Sequence, residues 1–322
     1  MAYPFKNLVF QGGGVLGVAY AGAVEVLKAN QILENVQNLA GTSAGAIACL
    51  VLALRYEADE VASILVETDF KAFTQESRPL EFHDRYGWYT TGPLQKWLRD
   101  RIREASANFP DGAEFSGEET FADFAERGCR NIIVFATDLN RRETREFSRR
   151  RTPSVRVVDA VTASLTIPAF FQSFQFPENN PDDHIYVDGG ALLNYPIMTF
   201  DEYGVNDETL GFTLVQGDRF GVESDLGFGT FRLWAESQYE TIKKVQLNLL
   251  NMQAEHRNRT VMIDVGQISP IDFEIDEEQK EWLLDRGRTA TEDFLKLYDY
   301  RQSFRYRVAR TVRRVVRGFR ED

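Results

Sequence analysis

The stretch Gly41-Thr42-Ser43-Ala44-Gly45 constrains this chain more than any other. An apolar run, Val36 to Ala40, leads into it, and a run of helix-forming residues, Ala44 to Leu54, leads out. Gly-x-Ser-x-Gly between a strand and a helix demands a sharp turn. Such a turn stands the serine hydroxyl at the end of a sheet and at the positive end of a helix. The small residues Gly41, Ala44 and Gly45 let the backbone bend without a Cβ clash. An ordinary tight turn has the same short pattern, so the remainder of the chain must discriminate.

The remainder alternates strands and helices. Apolar runs predict strands at Asn7–Phe10, Asn131–Ala136, Ile185–Val187, Leu210–Val215 and Val261–Val265, with Glu143–Ser148 as a polar hairpin partner. Helices are predicted through Ala29 and over 44–54, 58–67, 93–105, 120–127, 157–165, 229–252 and 277–299. Pro93 sits at a favoured first-turn position, Thr120 is a cap, and Pro168 stops the helix before it. Residues 68–92 are rich in aromatics and are expected as a loop or lid. This alternation predicts an α/β fold with a mostly parallel central sheet, helices on both faces and C-terminal helices. The simplest division is one domain over 1–300 and a helical appendage over 301–322.

Bulk properties exclude several classes. The chain has 322 residues, 43 % of them hydrophobic with 24 Phe, enough for a sizeable core. Its two cysteines, Cys49 and Cys129, are unrelated in sequence, which points to a reducing, cytoplasmic setting without a disulfide framework. His83, His184 and His256 show no metal-ligand spacing with them. No signal-peptide pattern opens the sequence, and no apolar stretch is long enough to span a membrane. Net charge is −12, unevenly spread. Eight arginines against Glu321 and Asp322 leave residues 301–322 at +6 and the other 300 residues at −18. An acidic body argues against nucleic acid as a partner.

Two further stretches carry chemistry. Gly12-Gly13-Gly14-Val15-Leu16-Gly17 is a strand-to-helix turn whose free N–H groups can face an anion. Gly12, Gly14 and Gly17 also fit a dinucleotide fingerprint. That reading needs an acidic residue at the end of the second strand, where Gly41-Thr42-Ser43 stands; Glu34 precedes the strand. The loop fits better as an oxyanion hole, with N–H groups of Gly12, Gly13 and Gly14 pooled with that of Ala44. Asp188-Gly189-Gly190 ends an apolar strand. By itself it is an Asx-type turn; beside the serine turn, Asp188 becomes a candidate base. A Ser-His-Asp triad stays an alternative, with His83 its likeliest member, although all three histidines read more simply as surface residues. Ser164 to Phe171 is a helix stop followed by apolar chain, to which these considerations assign no chemistry.

Taken together, these blocks resemble the patatin-like phospholipase family. A glycine-rich oxyanion loop (Gly12–Gly17), Gly-x-Ser-x-Gly (Gly41–Gly45), a Ser-x-x-Ile-Pro-x-Phe-type segment (Ser164–Phe171) and Asp-Gly-Gly (Asp188–Gly190) occur in the family's order. Ala136-Thr137-Asp138-Leu139 and Asn194-x-Pro196 are also similar to bacterial members. The resemblance covers about residues 5–200. It implies an αβα sandwich, a Ser43–Asp188 dyad, an acyl-enzyme, a lipid substrate, and neither metal nor cofactor. Leu16 departs: many phospholipase members carry Lys or Arg there. The resemblance implies phospholipase A or lysophospholipase activity, and Leu16 keeps a neutral acylglycerol lipase open as the alternative. A dinucleotide-dependent oxidoreductase and an inactive lipid-binding module are the rivals from other classes.

The tail completes the reading. Phe304, Val308, Val312, Val315, Val316 and Phe319 recur at helical spacing, with arginines around them. A basic amphipathic helix suits peripheral contact with an anionic membrane, and equally docking on the acidic body of its own chain.

Overall fold

The computed structural model describes residues 3–109, 112, 114–215, 238, 241–243, 245, 246 and 254–303. Residues 304–322 of the basic tail, and most of the helix expected over 229–252, lie outside them.

A seven-stranded sheet organises the chain. Its strands are β1 (Asn7–Phe10), β2 (Asn38–Thr42), β4 (Asn131–Asp138), β5 (Glu143–Ser148), β7 (Tyr186–Asp188), β8 (Thr209–Val215) and β9 (Thr260–Asp264). The order is β5-β4-β2-β1-β8-β9, and β7 pairs with β4. The five strands β4, β2, β1, β8 and β9 run parallel, as the alternation of elements predicts. Only β5 and β7 run antiparallel, both against β4.

Polar side chains fix the register at the strand starts. Asn7 pairs with Asn38 and Thr209, and Asn38 with Asn131. Asn38 Nδ2 donates to Asn7 Oδ1 at 2.8 Å, and Asn131 Nδ2 donates to Asn38 Oδ1 at 3.1 Å. A slip of one residue would break this row and turn every apolar side chain to the wrong face.

Helices α1 (Ala19–Ala29), α2 (Ala44–Ala53), α3 (Ala58–Val66), α5 (Gly92–Glu104), α6 (Phe121–Glu126) and α7 (Val157–Leu165) match the periodicity within a few residues. α4 (Phe82–Arg85) and α8 (Ala254–Arg257) are single turns, and α9 runs over Glu277–Gln302. Leu8, Phe10, Leu39 and Phe212 join the helices in the main core. Val9, Ala40 and Phe135, on the alternate face, pack with Tyr195 and Ile197. All ten residues of α2 are buried, consistent with its uniformly apolar composition. α9 lies against α1 so closely that Cβ atoms on Gly22 or Gly287 would stand under 2 Å from the other helix's backbone oxygens. Helix α9 is thus part of the packed body.

Residues 68–92, expected as a loop or lid, hold short helical turns and one short strand. Phe70 and Phe73 are buried, and Phe73 meets Trp97 edge-on at 5.7 Å. β3 (Gly87–Tyr89) pairs in parallel with β6 (Ala169–Phe171) as a separate two-stranded sheet. Three-residue strands leave no periodicity to read; Phe170 and Phe171 of β6 are buried, and Trp88 and Tyr89 of β3 half-buried. Cys49 and Cys129 are both free, and burial pushes the Cys129 thiol up to about 12.

Asn38→Val removes the central member of the polar row and leaves the buried Asn7 carboxamide short of a donor. Urea unfolding should show a loss of about 1–3 kcal/mol, with the denaturant slope unchanged.

Candidate active site

Strand β4 brings the two sequence-predicted residues together. Its first five residues pair with β2, ending at Phe135 opposite Thr42. Its last three pair with β7, ending at Ala136 opposite Asp188. β2 runs up this edge and β7 runs down it, so the two strands meet head to head at consecutive positions of one template. Ser43 follows Thr42, and Asp188 ends β7. A Cβ on Gly189 would stand 2.8 Å from Thr42 Cγ2 and 2.2 Å from the Phe135 oxygen, which measures how closely the strand ends abut.

Ser43 is forced into a rare conformation, φ 53° and ψ −126°. Backbones of this kind cost about 1–3 kcal/mol and persist only when the surroundings dictate them. Here they do. A Cβ on Gly41 would stand 2.3 Å from the Gly45 oxygen, and one on Gly45 would stand 2.3 Å from the Phe10 oxygen. Both ends of Gly-x-Ser-x-Gly are therefore glycine because backbone fills the space on either side. Ser43 also caps the fully buried α2, whose N-terminal dipole favours negative charge beside it.

The Ser164 segment, to which sequence reasoning assigned no chemistry, braces the site. Ser164 Oγ accepts from Ser43 N–H at 2.8 Å and donates to the Phe135 oxygen at 2.6 Å. Two residues on, the Thr166 oxygen accepts from Asp188 N–H at 2.8 Å. One segment thus holds the backbones of both Ser43 and Asp188. Nothing local signals this, because the partners lie 121 residues from Ser164 and 22 from Thr166.

The Asp188 turn is tied in turn to both loops. Asp188 Oδ1 accepts from Gly190 N–H at 2.7 Å. Thr42 Oγ1 donates to the Leu193 oxygen at 2.9 Å, and Gly12 N–H donates to the Asn194 oxygen at 2.9 Å. With Gly12 so engaged, the loop offers Gly13 and Gly14. Their N–H groups, and that of Ala44, make no hydrogen bond among the described residues. Pro270 holds the loop from outside by accepting from Val15 N–H at 2.9 Å. Leu16 is buried in the core. Ser43 and Asp188 are themselves only 4 % and 1 % exposed.

Two of the three histidines have other places, and the side chain of His83 lies outside what the structure describes. His184 lies four residues before Asp188, roughly 13 Å back along the chain at strand rise. Its Nδ1 is 2.7 Å from the buried Asp138 Oδ2. That bond holds the imidazole pKa above its ordinary value. Burial works to raise Asp138, but hydrogen bonds from Arg141 N–H and His184 outweigh it and leave its carboxyl below the usual range. Asp182 completes the cluster, accepting from Tyr186 OH at 2.9 Å. Asp138, Asp182 and His184 are the one group among the described residues with ligand atoms mutually within metal-binding reach, all within 4.8 Å. Sequence spacing hides it because β4 supplies one member and the approach to β7 the others. His256 sits before β9, at the edge of the sheet opposite Ser43, and burial lowers its pKa.

The sequence profile described as patatin-like phospholipase matches residues 8–201. YqhO of Bacillus subtilis is 27 % identical over 301 residues, covering 91 % of this chain and 98 % of its own. The probable lipid hydrolase 463L of Invertebrate iridescent virus 6 is 25 % identical over 200 residues, 60 % of this chain and 62 % of its own. Among solved structures, VipD from Legionella pneumophila has a similar fold, with a TM-score of 0.56 at 16 % identity over 91 % of this chain and 67 % of VipD.

Ser164→Ala should leave Ser43 N–H and the Phe135 oxygen without their shared partner. Thermal unfolding should show a loss of about 1–3 kcal/mol per stranded group, with activity falling further than folded fraction. The His184–Asp138 pair gives a pH signature. The raised His184 contributes fully below about pH 6.5 and loses its contribution as pH rises through its folded value. The lowered Asp138 contributes above about pH 4 and loses its contribution as pH falls. The Tm difference between wild type and His184→Asn should therefore peak between these limits and shrink in alkali.

Proposed function

The chain belongs to the patatin-like phospholipase family, whose members are lipid hydrolases, and on that premise we propose that it is a serine acyl hydrolase releasing fatty acid from membrane lipids. The phospholipase A or lysophospholipase type is favoured. The observation that supports the reading is the meeting of β2 and β7 at consecutive positions of β4, Phe135 opposite Thr42 and Ala136 opposite Asp188.

Ser43 Oγ attacks the ester carbonyl while its proton passes to Asp188. The carbonyl oxygen becomes an oxyanion and accepts hydrogen bonds from the N–H groups of Gly13, Gly14 and Ala44. Collapse breaks the ester C–O bond, and the leaving alkoxide takes the proton back from Asp188. The acyl chain is now on Ser43. Water attacks it, giving its proton to Asp188, and fatty acid leaves as Ser43 recovers that proton. Burial of the dyad keeps water away until the ester has bound.

A second reading, hydrolysis of neutral acylglycerols, is favoured by Leu16, which is buried and offers no cation to a phosphate headgroup. Among the described residues no helix is long and apolar enough to cross a membrane. Peripheral contact through the arginines of 301–322 is proposed from sequence.

Mixed vesicles of phospholipid, lysophospholipid and triacylglycerol, analysed by mass spectrometry, test the reading. Ser43→Ala and Asp188→Asn should each reduce fatty-acid release by about 10³-fold or more. A fluorophosphonate should label wild type and not Ser43→Ala. Undiminished release by Ser43→Ala would overturn the assignment, and the headgroup released identifies the substrate class. Deleting 301–322 should lower activity on anionic vesicles and spare a soluble ester.

A further inference from the structure

Between the glycine loop and the serine turn lies an amide that the fold does not use. Asn194 is 2 % exposed, and neither its Oδ1 nor its Nδ2 has a hydrogen-bond partner among the described residues. Buried carboxamides are almost always bonded, and an exception calls for a cause. This one has a particular address. The point where a Cβ on Gly12 would stand is 2.5 Å from Asn194 Oδ1, 3.0 Å from Ser43 Cβ and 3.2 Å from the Thr42 oxygen. The amide therefore sits in the crook formed by the oxyanion loop and the serine turn.

It is also held there. Asn194 N–H donates to Gln246 Oε1 at 2.8 Å, and the Asn194 oxygen accepts from Gly12 N–H at 2.9 Å. Gln246 Nε2 donates to the oxygens of Gly190 and Ala191, each at 3.1 Å, so one side chain fixes both ends of the turn after Asp188. The next residue, Tyr195, is buried, with its hydroxyl 2.9 Å from Thr260 Oγ1. The backbone cannot swing the amide toward another partner. With neither end tied, nothing in the fold dictates which end faces the loop.

We propose that Asn194 Nδ2 donates a hydrogen bond to the ester carbonyl oxygen as it becomes an oxyanion, beside the N–H groups of Gly13 and Gly14. The proposal rests on the serine-hydrolase reading above. A donor that is fixed, dry and unemployed in the resting enzyme meets the charge without first giving up another bond. Ser43 is nearly as deeply covered, so an ester that reaches the hydroxyl has already parted the cover over the amide.

Asn194→Leu and Asn194→Ala separate this role from a structural one. Loss of an oxyanion donor should lower kcat about 100-fold or more with KM changed no more than about threefold, and should slow fluorophosphonate labelling without lowering its final stoichiometry. Removing an unbonded buried amide should leave the Tm of Asn194→Leu equal to or above wild type. Asn194→Ala leaves space and serves if leucine does not fit. A folded variant with wild-type kcat would overturn the proposal. So would a fall in Tm matched by activity, with kcat per labelled serine unchanged. A wild type that neither hydrolyses lipid nor labels at Ser43 would overturn the hydrolase reading itself, and the role of Asn194 with it.

Discussion

The edge of β4 that faces β2 and β7 is the constraint on which the rest depends. It carries two partners end to end, one parallel and one antiparallel, with Phe135 serving the first and Ala136 the second. Backbone hydrogen bonding is directional and spaced by the residue, so the pairing fixes the two strand ends relative to each other. The asparagine row at the strand starts sets the register from below, and the Ser164 hydroxyl bridges the junction from the side. Ser43 and Asp188 need no direct attraction to be neighbours.

Such a junction is costly to hold. It keeps a serine at positive φ and, among the described residues, leaves loop N–H groups without acceptors and buries a carboxamide without partners. Each of these runs against local stability by an amount of order 1–3 kcal/mol. They are sustained by the packing around them, above all by a helix buried on every face and by glycines too crowded to carry a side chain. Concentrating unmet hydrogen-bonding capacity at one point is characteristic of a site that completes itself only around a ligand.

Much of this was legible beforehand. The Gly41–Gly45 turn, flanked by an apolar run and a helix-forming run, fixes a strand–turn–helix because only that path accommodates those residues. Asp188 at the close of an apolar run, followed by two glycines, marks a carboxylate left at a strand end. Ser164 and Asn194 fall in blocks that the family resemblance marks, but what they do beside Ser43, like the separate Asp138–His184 pair, was not legible. Each is an ordinary polar residue locally, and each acquires its place from pairings between strands far apart in the chain. Within 68–92, expected as a loop or lid, β3 was not legible because it is three residues long and depends on β6 for a partner.

The sequence by itself determined which residues could do chemistry, because steric tolerance, helix and strand periodicity and side-chain functional groups are local properties. It determined too that the sheet would be mostly parallel, since helices must carry the chain back between strands. Only the tertiary structure decided that β7 descends toward β2, that a serine from α7 spans the junction and that an asparagine is left unbonded beside it. Those facts belong to strand direction and register, which are settled by contacts between distant segments and leave no trace in the spacing of residues along the chain.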